Sequence, residues 1–110
     1  MAIPHADSGE VLDISLPAGK LNEAQSRLLI RADHLEVFRL VLPAGKEPPP
    51  HTAAGAITIQ CLKGAVELEV HATVHELRAG HLVYLKDAEP HRVRAIEDSA
   101  LLITVLLNRL

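Results

Sequence analysis

The most regular stretch of the chain is Val66-Glu67-Leu68-Glu69-Val70, which puts three apolar side chains on one face and two carboxylates on the other. That alternation is the mark of a half-buried strand. Shorter runs rich in Val, Ile, Leu and Thr recur along the chain and predict strands over residues 11–16, 28–31, 35–42, 57–62, 65–70, 74–77, 82–85, 92–95 and 101–107. Turn signals separate them: Pro17-Ala18-Gly19, Pro43-Ala44-Gly45, Pro48-Pro49-Pro50, Gly64, Gly80 and Pro90. Gly64 predicts a tight hairpin between 57–62 and 65–70, and His71-Ala72-Thr73 the turn that follows. Residues 21–29 have a helical alternative of about two turns. They lack a clear cap, which favours a strand and a turn. Many short strands with frequent turns imply an all-β sandwich or barrel.

Composition narrows this further. A chain of 110 residues allows one domain, with no room for a second core. Residues 1–10 read as a loose terminal segment. Phe38 and Tyr84 are the whole aromatic content, so the core is built from Leu, Ile, Val and Ala. The net charge is −3, with no basic run and no stacking aromatics, which argues against nucleic acid as a partner. The apolar stretch at 100–107 is too short to span a bilayer, and the first residues lack a secretory pattern. A single cysteine, Cys61, cannot form an internal disulfide, so the expected setting is a reducing cytoplasm.

Seven histidines are many for this length. His5 lies in the terminal segment, His34 at a turn beside Asp33, His71 and His75 around a hairpin turn, and His81 at a strand start after Gly80. His51 and His91 differ. Each follows a proline and opens a strand-like segment, so on neighbouring strands their imidazoles would converge at one end of a barrel.

Two motifs carry a family resemblance. Gly45-Lys46-Glu47-Pro48-Pro49-Pro50-His51, followed by the run from Ile57 to Gly64, approximates G-x5-H-x-H-x3/4-E-x6-G. The run from Gly80 to Pro90-His91, with Ala95 at the closing position, approximates G-x5-P-x-G-x2-H-x3-N. Over residues 35–107 the chain resembles a short, single-domain bacterial member of the cupin superfamily, of the RmlC-like conserved-barrel type. The resemblance implies an all-β fold, a double-stranded β-helix or jelly-roll barrel, and a homodimer. An uncovered sheet edge or an apolar sheet face would invite that second copy.

Metal-binding cupins use two histidines and a glutamate from the first motif and one histidine from the second. His51 and His91 match the first and last of these. Ala53 and Ile57 stand at the other two positions, and neither offers a lone pair. The candidates to complete a shell are Gln60, Cys61 and His81, with His81 expected at the strand end away from His91. The family places the glutamate position inward, which puts Ile57, Ile59 and Cys61 inside and Gln60 outside. A shift of one residue would put Thr58 and Gln60 inside instead, although apolar filling favours the first register. Parity turns Tyr84 outward. Arg92, Arg94, Glu67 and Glu69 read as solvated strand faces. Asp87 and Glu89 are close enough in sequence to influence His91.

The expected function is the binding of a small polar molecule in the barrel mouth by His51, His91 and Gln60, beside a degenerate metal position. One alternative is a metal-dependent enzyme of isomerase, decarboxylase or dioxygenase type, holding divalent Zn, Mn, Fe or Ni on His51, His91 and an atypical third ligand. Another is a sensor or interaction domain without catalysis.

Overall fold

The computed structural model describes residues 6–16, 21–22, 25–48, 55–87 and 89–107. Among these residues lie eight strands: β1 (Arg27–Arg31), β2 (Leu35–Leu42), β3 (Ile57–Lys63), β4 (Ala65–Val70), β5 (Thr73–Arg78), β6 (Leu82–Leu85), β7 (His91–Ala95) and β8 (Ser99–Leu106). They form two antiparallel sheets, ordered β1-β2-β8-β3-β6 and β5-β4-β7. β8 is the central strand of the larger sheet, pairing with β2 along one side and β3 along the other. No helix among the described residues is long and apolar enough to cross a membrane.

The two sheets face each other across one aliphatic core. Ile57, Ile59 and Cys61 enter it from β3, Val66, Leu68 and Val70 from β4, Val93 and Ala95 from β7, and Leu101, Ile103 and Val105 from β8. The period-two pattern read from the sequence therefore selects the register with Ile57, Ile59 and Cys61 inside. Phe38 packs at the margin, and the rest of the core is aliphatic or the small Cys61. Eight of the nine expected strands are present, each with bounds within two residues of the sequence reading.

The ninth expected strand is absent: residues 11–16 join no ladder. The alternation there is nevertheless real. Leu12, Ile14 and Leu16 are half-buried, while Val11, Asp13 and Ser15 are exposed. The segment lies over the outer face of the larger sheet, where Leu16 joins Leu21, Val41, Ala100 and Leu62 in a second apolar cluster. Burial on one side gives an extended segment the same period-two signature as a paired strand. Arg39, only 8% exposed, fixes it in place. Its Nε donates to the Gln25 carbonyl at 2.9 Å, and its Nη1 lies 3.4 and 3.5 Å from the carbonyls of Ile14 and Ser15. Upstream, residues 6–10 are largely exposed but tied down, the Ala6 N–H donating to the Leu29 carbonyl at 3.1 Å. The Gln25 N–H donates to the Asn22 carbonyl at 2.9 Å, and residues 27–29 lie in β1, as the strand reading expected; residues 23 and 24 lie outside the described residues.

Gly64 does not make the expected hairpin. β3 pairs only with β6 and β8, and β4 only with β5 and β7, so Gly64 is where the chain leaves one sheet and enters the other. Its φ is +81°, and a Cβ there would sit 2.5 Å from Ser99 Oγ and closer still to the Asp98 carbonyl. Only glycine fits both the left-handed backbone and the contact. Ser99, fully buried, secures the crossing: its Oγ accepts the Ala65 N–H at 3.0 Å and lies within donating distance of the Ala65 and Glu97 carbonyls, at 2.9 and 2.7 Å. Replacing this hydroxyl strands a buried donor. Ser99→Ala is expected to lower unfolding stability by about 1–3 kcal/mol in urea at an unchanged m-value. A loss under about 0.5 kcal/mol, the range of an ordinary surface change, would contradict this role.

Candidate functional site

The polar chemistry gathers at one end of the smaller sheet. β4 and β5 are joined by His71 and Ala72, both at positive φ, 54° and 60°. A two-residue hairpin loop of the I′ kind needs this conformation. The register between β4 and β7 pairs Val70 with His91. The hairpin tip is thereby brought beside the start of β7, and His71 Nε2 meets Glu89 Oε1 at 2.9 Å. The Glu89 side chain is 11% exposed against 70% for His71, so a largely buried carboxylate meets an imidazole that faces solvent.

His91 shares strand parity with the buried Val93 and Ala95, which turns its ring toward the interior at the barrel mouth. Pro90 restricts Glu89 to extended backbone, and the Glu89 carbonyl lies 3.0 Å from His91 Nδ1. A carbonyl only accepts, so Nδ1 carries the proton, and in the neutral ring Nε2 keeps its lone pair as an acceptor. Glu69, His71, Ala72, Glu89, His91 and Arg92, with Pro90, enclose a shallow cleft of about 450 Å³.

On the outer face of the same sheet, Arg92 holds Glu47 through two bonds of 2.7 and 2.9 Å, and Arg94 holds Glu67 at 2.7 Å. This is the solvated charged face expected from sequence, organised into pairs. Glu47 lies 45 residues from its partner in sequence. The Arg92 hydrogen bond holds the Glu47 carboxyl below its ordinary value.

The expected site residues do not all converge. His91 is at the mouth. His51 lies outside the described residues, as does Ala53. Gln60 is half-buried on the outer face of the larger sheet, opposite Leu82 and Leu102, so it does not share the His91 cleft. Alternation explains this: with Ile59 and Cys61 inside, Gln60 between them must point out. His81 caps the β5–β6 turn, its Nδ1 accepting the Arg78 N–H at 2.9 Å. Sequence reasoning missed His71 and Glu89 as site residues. A hairpin tip reads as solvent-facing, and only the Val70–His91 register shows what it meets.

The donor set fits a metal poorly. Ile57 occupies the glutamate position and is packed into the core. Cys61 is fully buried with its Sγ 3.5 and 3.6 Å from the carbonyls of Lys63 and Gly64, and burial pushes its thiol pKa up, away from the thiolate a metal needs. Among the described residues no three His, Cys, Asp or Glu side chains come together in a way that could hold an ion.

The family model described as Cupin domain matches residues 38–107. The chain belongs to the cupin family. Its double-stranded β-helix is similar to that of an RmlC-like cupin from Methanocaldococcus jannaschii, with 17% identity, a TM-score of 0.72, and coverage of 93% of this chain and 94% of that one. It is also similar to KdgF from a Halomonas species, with 20% identity, a TM-score of 0.67, and coverage of 76% and 78%. The Cupin_2 domain of an XRE family transcriptional regulator from Enterobacter cloacae aligns at 19% identity and a TM-score of 0.65, covering 76% of this chain and 96% of that domain. At these identities the likeness is one of fold. No curated protein matches the sequence.

The Arg92–Glu47 pair makes a pH prediction. A carboxyl with a lowered folded-state pKa stabilises the fold above its ordinary value, and the contribution is lost as pH falls through the lowered one. Arg92→Gln is expected to move the Glu47 side-chain carboxyl titration, followed by carbon-13 NMR, up toward 4.5. An unchanged midpoint would show that Arg92 does not set it.

Proposed function

We propose that the protein is a cytoplasmic binder of a small polar molecule, held at the barrel mouth beside His91 without a resident metal. The supporting observation is the cleft of about 450 Å³ lined by His71, His91, Arg92, Glu69 and Glu89. Its size lies within the range of small-molecule sites, about 300–1,000 Å³. Hydrogen-bond donors and acceptors of both charge signs converge there, next to a barrel whose interior is filled with aliphatic side chains. Such a lining suits a hydroxylated or carboxylated ligand better than an apolar one. His91 Nε2 is the group best placed to accept a hydrogen bond from it, and His51 is a further candidate from outside the described residues. A metal-dependent reaction would need two ligands where this chain has Ala53 and Ile57.

The test is a nitrogen-15 NMR titration with monosaccharides, sugar acids and short hydroxy acids. Shifts are expected to concentrate at His71, Glu89 and His91. His91→Ala is expected to weaken the best of these ligands roughly tenfold, the worth of about one good hydrogen bond. Shifts gathered elsewhere, or affinity unchanged in both His91→Ala and His71→Ala, would contradict the proposal.

A further inference from the structure

The cleft beside His91 carries more negative than positive charge. Glu69 and Glu89 line it together with Arg92, the one formal cation among its described lining residues. Arg92 is already engaged. Its Nε and Nη2 hold both oxygens of Glu47, at 2.7 and 2.9 Å, in the two-pronged geometry that matches a guanidinium to a carboxylate. Glu69 lies directly opposite Arg92 in the β4–β7 register and is exposed, and no hydrogen bond to another described residue engages it. With neutral imidazoles, the carboxylates of Glu47, Glu69 and Glu89 stand against one guanidinium, an excess of two negative charges. A proton on His71 would still leave one.

The hydrogen-bonding groups have the same bias. His71 Nε2 stands 2.9 Å from the Glu89 carboxylate. An ionised carboxylate only accepts, so Nε2 carries the proton and the neutral ring keeps its lone pair on Nδ1. His91 is the mirror case, with its proton on Nδ1 toward the Glu89 carbonyl and its lone pair on Nε2. Both imidazoles that line the cleft are thus left with an acceptor, and the two carboxylates add more. The charged donors are those N–H groups of Arg92 that Glu47 does not use. A ligand rich in acceptors would set lone pair against lone pair at most of these positions, and a carboxylate would add a further like charge.

We propose that the ligand of this cleft is a small hydroxylated amine, bound in its ammonium form. The inference rests on the reading of the cleft as the binding site and selects among the polar ligands that this reading allows. An ammonium supplies a positive charge and three donors, and hydroxyl groups supply further donors for His71 and His91. Glu89, whose side chain is only 11% exposed, is the carboxylate that gains most from a cation, because little water screens the pair. Glu69 adds its charge at the rim, and a recess lined by one sign of charge concentrates counter-ions from solution. A bare metal ion matches the same charge less well, since no three His, Cys, Asp or Glu side chains among the described residues come together to hold one.

Three polyols of one chain length and one configuration separate charge from shape. Glucamine ends in an ammonium, glucitol in a hydroxyl and gluconate in a carboxylate. Nitrogen-15 NMR titration at neutral pH, where a primary ammonium keeps its proton, reads each affinity and its location. Glucamine is expected to bind about fivefold more tightly than glucitol, and gluconate more weakly than both, with the glucamine shifts centred on His71, Glu89 and His91. Glu69→Gln and Glu89→Gln, both isosteric, are each expected to cut the glucamine preference by about twofold or more. Glu76→Gln, an exposed position of β5 outside the cleft, is expected to leave it unchanged. Gluconate or glucitol bound in the cleft as tightly as glucamine would overturn the inference while the binding reading stands. A glucamine preference unmoved by both cleft variants would also overturn it, because the selecting charge would lie elsewhere. Absence of cleft shifts with all three polyols would overturn the inference and the binding reading together.

Discussion

Ser99 closes the point at which the chain changes sheets, and much of the architecture follows from that crossing. β3 and β4 are separated only by Gly64, yet they belong to opposite layers. The passage is possible because residue 64 has no side chain where the Asp98 carbonyl and Ser99 press against it, and because Ser99 Oγ takes up the buried Ala65 N–H. A one-residue slip in either strand would exchange its core face for its outer face. The junction instead sends Ile57, Ile59 and Cys61 inward from one side and Val66, Leu68 and Val70 inward from the other.

That filling decides where polar chemistry can sit. An interior lined by aliphatic side chains has no partner for an ion or a buried polar group. Polar side chains are therefore displaced to the mouth, where the β4–β5 hairpin and the start of β7 bring His71, Glu89 and His91 together. The same alternation that buries the core faces leaves the remaining positions outside. On the smaller sheet these form acid–base pairs, and on the larger one they form an uncharged surface around Tyr84.

Most strands were legible because they have one wet and one dry side, as in Val66 to Val70, and the cupin motifs were legible in their punctuation and histidines. Three features were not. Gly64 signals a backbone that side chains cannot follow, but not whether the chain then turns back or crosses over. Residues 11–16 carry a strand's alternation because one side is covered, and nothing local distinguishes coverage from pairing. The His71–Glu89 and Arg92–Glu47 pairs join residues 18 and 45 positions apart, brought together only by the tertiary fold. Gln60 was ambiguous for the same reason. Its polar side chain suggested a ligand, while Ile59 and Cys61 on either side required it to face outward.

The central claim is that β3 register puts Ile57 in the core, where cupins that hold a metal have a carboxylate. The most direct test is elemental analysis after equilibrium dialysis of the full chain against zinc, manganese, iron(II) and nickel in turn, with His91→Ala in parallel. The packing predicts far less than one ion per chain in every case and no difference between the two proteins. One ion retained per chain and lost in His91→Ala would contradict it.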